Sequence, residues 1–152
     1  MRHLLVDFAC QFSKEENSII RELLTKYPDR VRLQVRDFPV DELHPEARQT
    51  AEAAVCAHAQ GKYWAMHDLL FATAGNFTDA DLLKYAKNIG LDETKFSLCL
   101  KDPQTAAEVQ TDIEAGTAAG VPGTPTFFIN GIKVEGAIPA DIWEQIVKLS
   151  VK

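Results

Sequence analysis

The sequence has 152 residues, 46% of them hydrophobic, with 16 Lys and Arg against 22 Asp and Glu and a formal net charge of -6. That is long and apolar enough for one soluble domain with a real core. The acidic balance and the lack of a basic run argue against a nucleic-acid surface, and no apolar run approaches the roughly 20 residues of a membrane span.

Residues 3–8 predict a short buried strand. Phe12 to Tyr27 predicts a helix, with Ile19, Ile20, Leu23, Leu24 and Tyr27 at helical spacing and Pro28-Asp29 ending it. Val31 to Arg36 alternates apolar and polar residues, the period of a strand with one wet face. Strand, helix and strand in this order make a βαβ unit with parallel strands. From His44 to Ala119 the signals are helical: Ala47 to Gln60, Tyr63 to Thr73, a helix capped by Thr78 and Asp81 and closed at Gly90, one capped by Asp92 running to Leu100, and a longer one opened by Asp102-Pro103. Thr126 to Ile129 predicts a strand, Asn130-Gly131 a tight hairpin, and Ile132 to Val134 the returning strand. Pro139 starts a last helix whose Ile142, Trp143, Ile146 and Leu149 are expected to cover the sheet.

Three cysteines are too few for a disulfide scaffold, and an odd count leaves at least one thiol unpaired within the chain. Cys10 follows the first strand and opens the first helix, where N–H groups and the helix dipole stabilise negative charge. Thiolate is the nucleophile of thiol–disulfide exchange, so position alone favours a reactive role over that of a buried, inert thiol. Cys56 and Cys99 lie on predicted helices; they read first as buried packing thiols and second as a structural disulfide, while their spacing to histidine does not suit a metal. His44 is expected to cap or pack at the start of the helical segment, and His58 and His67 to sit on helix surfaces or in packing. Tyr63, Trp64 and Phe71 read as core, and Glu15 and Glu16 as a solvated face.

Asp7-Phe8-Ala9-Cys10-Gln11-Phe12-Ser13-Lys14 resembles the Asp-Phe-x-Cys-Pro-Phe-Cys segment of the DsbA-like thioredoxin-fold thiol–disulfide oxidoreductases. Arg36 to Pro39, His44 to Ala47, Ala53 to Phe71 and, most specifically, Gly120 to Gly131 are similar to the same family, so that the resemblance spans residues 7–137. It implies an α/β thioredoxin fold (βαβ–ββα) with about five inserted helices between the second and third strands: a single domain over 1–152, its core at 1–43 and 120–152 and its insertion at 44–119. It also implies that Pro125 is cis and faces Cys10. A proline opening a buried strand already stands out, because it has no N–H for the ladder, although a plain strand-edge proline is the simpler reading. Thr124 would then offer its backbone to an extended substrate segment, with Gln11 and Phe12 beside it.

Two departures from the family narrow the chemistry. Ser13 replaces the second cysteine; a hydroxyl cannot resolve a mixed disulfide and can only donate a hydrogen bond to the Cys10 thiolate. Leu4 stands where family members often carry a buried acid, and Asp7 does not fill that place. The expected activity is oxidoreductase- or isomerase-type exchange through one cysteine, forming mixed disulfides with protein or peptide thiols and disulfides, with glutathione as a candidate co-substrate and no bound cofactor, metal or nucleic acid. A glutathione-transferase-like relative using Ser13 or Cys10, and a redox-inert peptide-binding module, are the alternatives. Asp7 interrupts the apolar length a signal peptide needs, so the chain as written is expected in the cytoplasm, or in the periplasm or cell envelope if a leader has been removed.

Overall fold

The computed structural model describes residues 2–73 and 75–149. Its elements are β1 (Arg2–Val6), α1 (Gln11–Lys26), β2 (Leu33–Asp37), α2 (Ala47–Ala59), α3 (Tyr63–Ala72), α4 (Asp79–Asn88), α5 (Glu93–Lys101), α6 (Pro103–Ala118), β3 (Thr126–Ile129), β4 (Ile132–Glu135) and α7 (Ala140–Leu149). The sheet runs β2-β1-β3-β4, with β1 parallel to β2 and antiparallel to β3, and β3 antiparallel to β4. This is the thioredoxin arrangement, with α2 to α6 inserted between β2 and β3.

Leu4, Leu5 and Val6 are all buried because β1 is an inner strand covered on both faces. Phe127, paired with Leu4, meets Trp143 of α7 with ring centroids 4.9 Å apart. On the other face Leu5 lies against α6 at Gly116, where a Cβ would come within 2.8 Å of Leu5 and 2.6 Å of Phe38. Only glycine lets that helix approach so closely. The turn of the β3–β4 hairpin places Asn130 at φ 51° and Gly131 at φ 87°, the left-handed pair that a two-residue loop with twisted flanking strands needs.

The caps stand where their residues predict. Thr78 and Asp81 form a reciprocal capping box, Asp92 accepts from Lys95 N, and Asp102 accepts from Gln104 N beside Pro103. Other expectations are corrected. β1 stops at Val6 rather than residue 8, because the Asp7 carboxylate and carbonyl turn the chain toward α1. β2 begins at Leu33 rather than Val31, whose N–H still bonds Tyr27 O at the end of α1. Nor does β2 have a wet face: Leu33 to Arg36 are half-buried and Asp37 is buried, since α6 packs over it and Asp112 takes both the Arg36 guanidinium and the Asp37 N–H.

In α7 the buried stripe is Trp143 and Val147, whereas Ile142 and Leu149 point outward. Glu16 is not on a solvated face. It is 2% exposed and accepts from Ile138 N at 2.8 Å and from Trp143 Nε1 at 2.9 Å, tying α1 to α7. Burial raises its pKa despite those two bonds. Cys56 and Cys99 are not separate packing thiols but form a disulfide between α2 and α5, whose close packing brings their Cα atoms to 5.8 Å, inside the bridging range. His67 is a packing residue, its ring edge-on to Phe8 and Phe71, and burial lowers its pKa. Trp64 reaches the surface, with the Arg21 guanidinium 5.0 Å over its ring. Among the described residues, no helix is long and apolar enough to cross a membrane.

Candidate active site

Cys10 is the N-cap of α1, in extended backbone conformation (φ -83°, ψ 122°). Its N–H donates to Asp7 O at 3.0 Å and its C=O accepts from Lys14 N at 3.1 Å, so the residue is fixed on both sides. Its side chain caps no N–H of the helix, and no acid occupies the first turn. The positive end of the helix dipole therefore lies beside the sulfur without a carboxylate in that turn to offset it. Cys10 is the free cysteine and is 7% exposed; it sits in a recess rather than on the open surface.

Across the recess lies the segment that leads into β3. The Cys10 thiol donates to Thr124 O, with sulfur and oxygen 3.5 Å apart. The Thr124–Pro125 peptide is cis, and Pro125 is buried while Thr124 is half-buried. Thr126 Oγ1 donates to Gly123 O at 2.7 Å, and Gly136 N donates to Pro125 O at 2.9 Å. These bonds hold the loop on either side of Thr124 while its carbonyl faces the sulfur. Gln11 and Phe12 are exposed at the rim, Phe12 to 58%, a large apolar side chain left in solvent next to the thiol.

Ser13 is placed differently from expectation. It is 1% exposed and its Oγ accepts from the backbone, Asp7 N donating at 3.4 Å, rather than bonding Cys10. One turn into α1, its side chain points back to the end of β1 and helps to close the β1–α1 turn. Cys56 and Cys99 join α2 to α5 and lie apart from this recess. Among the described residues, no cluster of His, Cys, Asp and Glu could hold a metal.

The sequence reading missed the group that organises the turn. Asp7, 1% exposed, accepts from Ala9 N at 2.8 Å through Oδ1 and from Val40 N at 3.0 Å through Oδ2. His44 Nδ1 lies 2.8 Å from the same Oδ2. One buried carboxylate thus ties the turn carrying Cys10 to the β2–α2 loop. The available signal was an acid between a buried strand and a cysteine, in a place that would bury it. Its partners, 33 and 37 residues away, were not visible.

A family model described as thioredoxin matches residues 3–149. Among solved structures, the chain is similar to a thioredoxin-like oxidoreductase from Silicibacter pomeroyi (TM-score 0.86, 25% identity, covering 98% of this chain and 84% of that one). It is also similar in fold to the thiol-disulfide exchange protein alpha-DsbA2 from Wolbachia pipientis (TM-score 0.86, 24% identity, 97% and 80% covered). Among curated proteins, the Na(+)/H(+) antiporter NhaA 3 of Salinispora tropica is 41% identical over 130 residues, which cover 86% of this chain and 20% of that protein. The chain spans about a fifth of the length of the curated relatives it matches.

Proposed function

The chain belongs to the thioredoxin family and has the fold of the DsbA-like thiol–disulfide oxidoreductases, and on that basis we propose that it exchanges disulfides with protein or peptide substrates through Cys10 alone. The observation that carries this reading is the Cys10 sulfur held at a helix N-terminus, 3.5 Å from the carbonyl of Thr124. In the resting thiol, that carbonyl accepts the S–H. When Cys10 gives up its proton, the bond is lost and Thr124 O becomes available to an N–H of an extended substrate, which is thereby aligned with the sulfur.

The Cys10 thiolate attacks one sulfur of the substrate disulfide, and the other sulfur leaves with the bonding electrons as thiolate. The product is a Cys10–substrate mixed disulfide. Ser13 cannot release it, so a second thiolate from outside, of a protein or of a small thiol such as glutathione, attacks the substrate sulfur and returns Cys10 as thiolate. Net oxidation is zero over the cycle, which makes disulfide reshuffling its natural outcome. The exposed Phe12 and Gln11 supply an apolar and a polar contact beside the attacked bond. Antiport is not part of this reading, since the match occupies a fifth of the antiporter.

The test is mass spectrometry of the protein incubated with a peptide disulfide. One peptide thiol should add to the wild type, be removed by glutathione, and be absent from Cys10→Ala. An adduct that survives in Cys10→Ala, or none on the folded wild type, would defeat the proposal. Ser13→Cys should convert the site to one that closes an internal disulfide and shortens the life of the adduct.

A further inference from the structure

A second recess lies away from the thiol, beside the outer edge of the sheet. β2, the α2–α3 junction and α6 line a half-open pocket of about 690 Å³, within the usual range for small-molecule sites of roughly 300–1,000 Å³. We propose that this cavity binds a small aliphatic ammonium ion, its charged head on the Asp37 carboxyl and its alkyl body against Tyr63 and Trp64.

Asp37 supports this most directly. It lines the cavity, is 6% exposed, and its Oδ1 is buried with no hydrogen-bond partner. Buried polar atoms are nearly always paired, and one left unpaired is costly. An ammonium brings three donors and a positive charge to such an acceptor. The surrounding charges select the sign of the ligand. Glu108 and Asp112 line the same pocket from α6, so three of its lining residues are acids. The nearby bases are already engaged: Arg36 with Asp112 at 2.7 Å, and Lys62 with the carbonyl oxygens of Ile89 and Gly90. His58 stands edge-on to Tyr63. The walls suit an alkyl chain, because Tyr63 and Trp64 meet ring to ring at 5.3 Å and present apolar surface to the space. Trp64 already holds the Arg21 guanidinium, the contact that aromatic faces make with organic cations.

Burial, with Asp112 and Glu108 nearby, pushes the Asp37 carboxyl up to about 8, so at neutral pH it is mostly protonated. Uptake of the ammonium then releases one proton: the neutral acid becomes a carboxylate paired with the ligand, and the proton passes to buffer. The groups facing Asp37 are Arg36 on its own strand, His58, Lys62 and Tyr63 from the α2–α3 side, and Glu108 and Asp112 from α6. Affinity for an amine should therefore rise as pH approaches 9, still below the ordinary lysine-like range of about 10.4 where the ligand loses its charge.

The experiment is calorimetric titration of the whole chain with n-hexylamine and with uncharged 1-hexanol, at pH 6.5 and pH 9. Hexylamine is expected to saturate one site about tenfold more tightly than hexanol, to release a proton at the lower pH, and to tighten by about thirtyfold at the higher one, as a carboxyl titrating at about 8 goes from mostly protonated to mostly ionised. Asp37→Asn should bring the amine down to the alcohol, while Cys10→Ala should leave both unchanged, which separates this site from the thiol. Absence of saturable amine binding, or an Asp37→Asn protein that binds amine like the parent, overturns the proposal. Should Asp37→Asn fail to fold, the parent decides: an amine-to-alcohol ratio near one at both pH values overturns it equally.

Discussion

Replacing Asp7 with alanine tests whether one buried carboxylate both stabilises the fold and sets the reactivity of the cysteine. Three donors lose their acceptor: Ala9 N, Val40 N and His44 Nδ1. A fully buried orphan costs about 1–3 kcal/mol, but Ala9, Val40 and His44 are half-buried and water can reach part of each. About 1 kcal/mol apiece gives roughly 3 kcal/mol, a large share of the 5–15 kcal/mol that holds a domain of this size together. At about 2–4 °C per kcal/mol, the melting temperature should fall by about 10 °C. The Cys10 N–H bond to Asp7 O is a backbone contact and survives the change, but the turn around it is no longer tied to Val40. The sulfur then loses its fixed position against Thr124 O, and exchange with a peptide disulfide should slow about tenfold, because attack needs the reacting atoms near 3–3.5 Å. Asp7→Asn keeps one acceptor oxygen and should fall between the two. Urea unfolding and the rate of mixed-disulfide formation measure both effects. A stability loss under about 1 kcal/mol in Asp7→Ala, with an unchanged exchange rate, would refute the positioning role.

Replacing Cys56 and Cys99 together with serine opens a loop of sequence separation 43, which should destabilise the chain by about 4 kcal/mol on the loop-closure estimate, measured by thermal unfolding, while Cys10 still forms its adduct. Gly116→Ala places a Cβ 2.6 Å from the Phe38 ring and 2.8 Å from Leu5; overpacking of about 1–3 kcal/mol, less up to about 1 kcal/mol gained in helix propensity, should leave a net loss near 1–2 kcal/mol in urea titration. Stability should fall as pH rises from about 4 to about 8. Over that window the folded state keeps a proton on Asp37 that the unfolded chain has already lost, at a cost of up to about 6 kcal/mol, and the raised Glu16 acts in the same direction. Asp37→Asn should flatten most of that slope, and an equally steep slope in the variant would show that another group causes it.

The features legible from the residues alone are those that short-range chemistry controls. The caps at Thr78, Asp92 and Asp102 act within three residues, and the Asn130-Gly131 turn within two, so their residue types were enough to place them. Cys10 at a strand-to-helix junction was equally local, and the resemblance of the segment around Gly123-Thr124-Pro125 set the opposite side of the recess. Which polar groups are enclosed, and what meets them there, came only from the packing of the elements against one another. Glu16 looks like surface from its neighbours, yet its partners Ile138 and Trp143 lie 122 and 127 residues away. Ser13 turns to Asp7, Asp7 to Val40 and His44, and Cys56 to Cys99, each through packing between elements that no sequence period records. Asp37 sits in a strand whose alternation promised a wet face, until α6 closed over it. A side chain's periodicity states which way it points on its own element; whether water or another helix lies in that direction is settled only when the elements pack, and with it the burial that shifts a carboxyl's pKa.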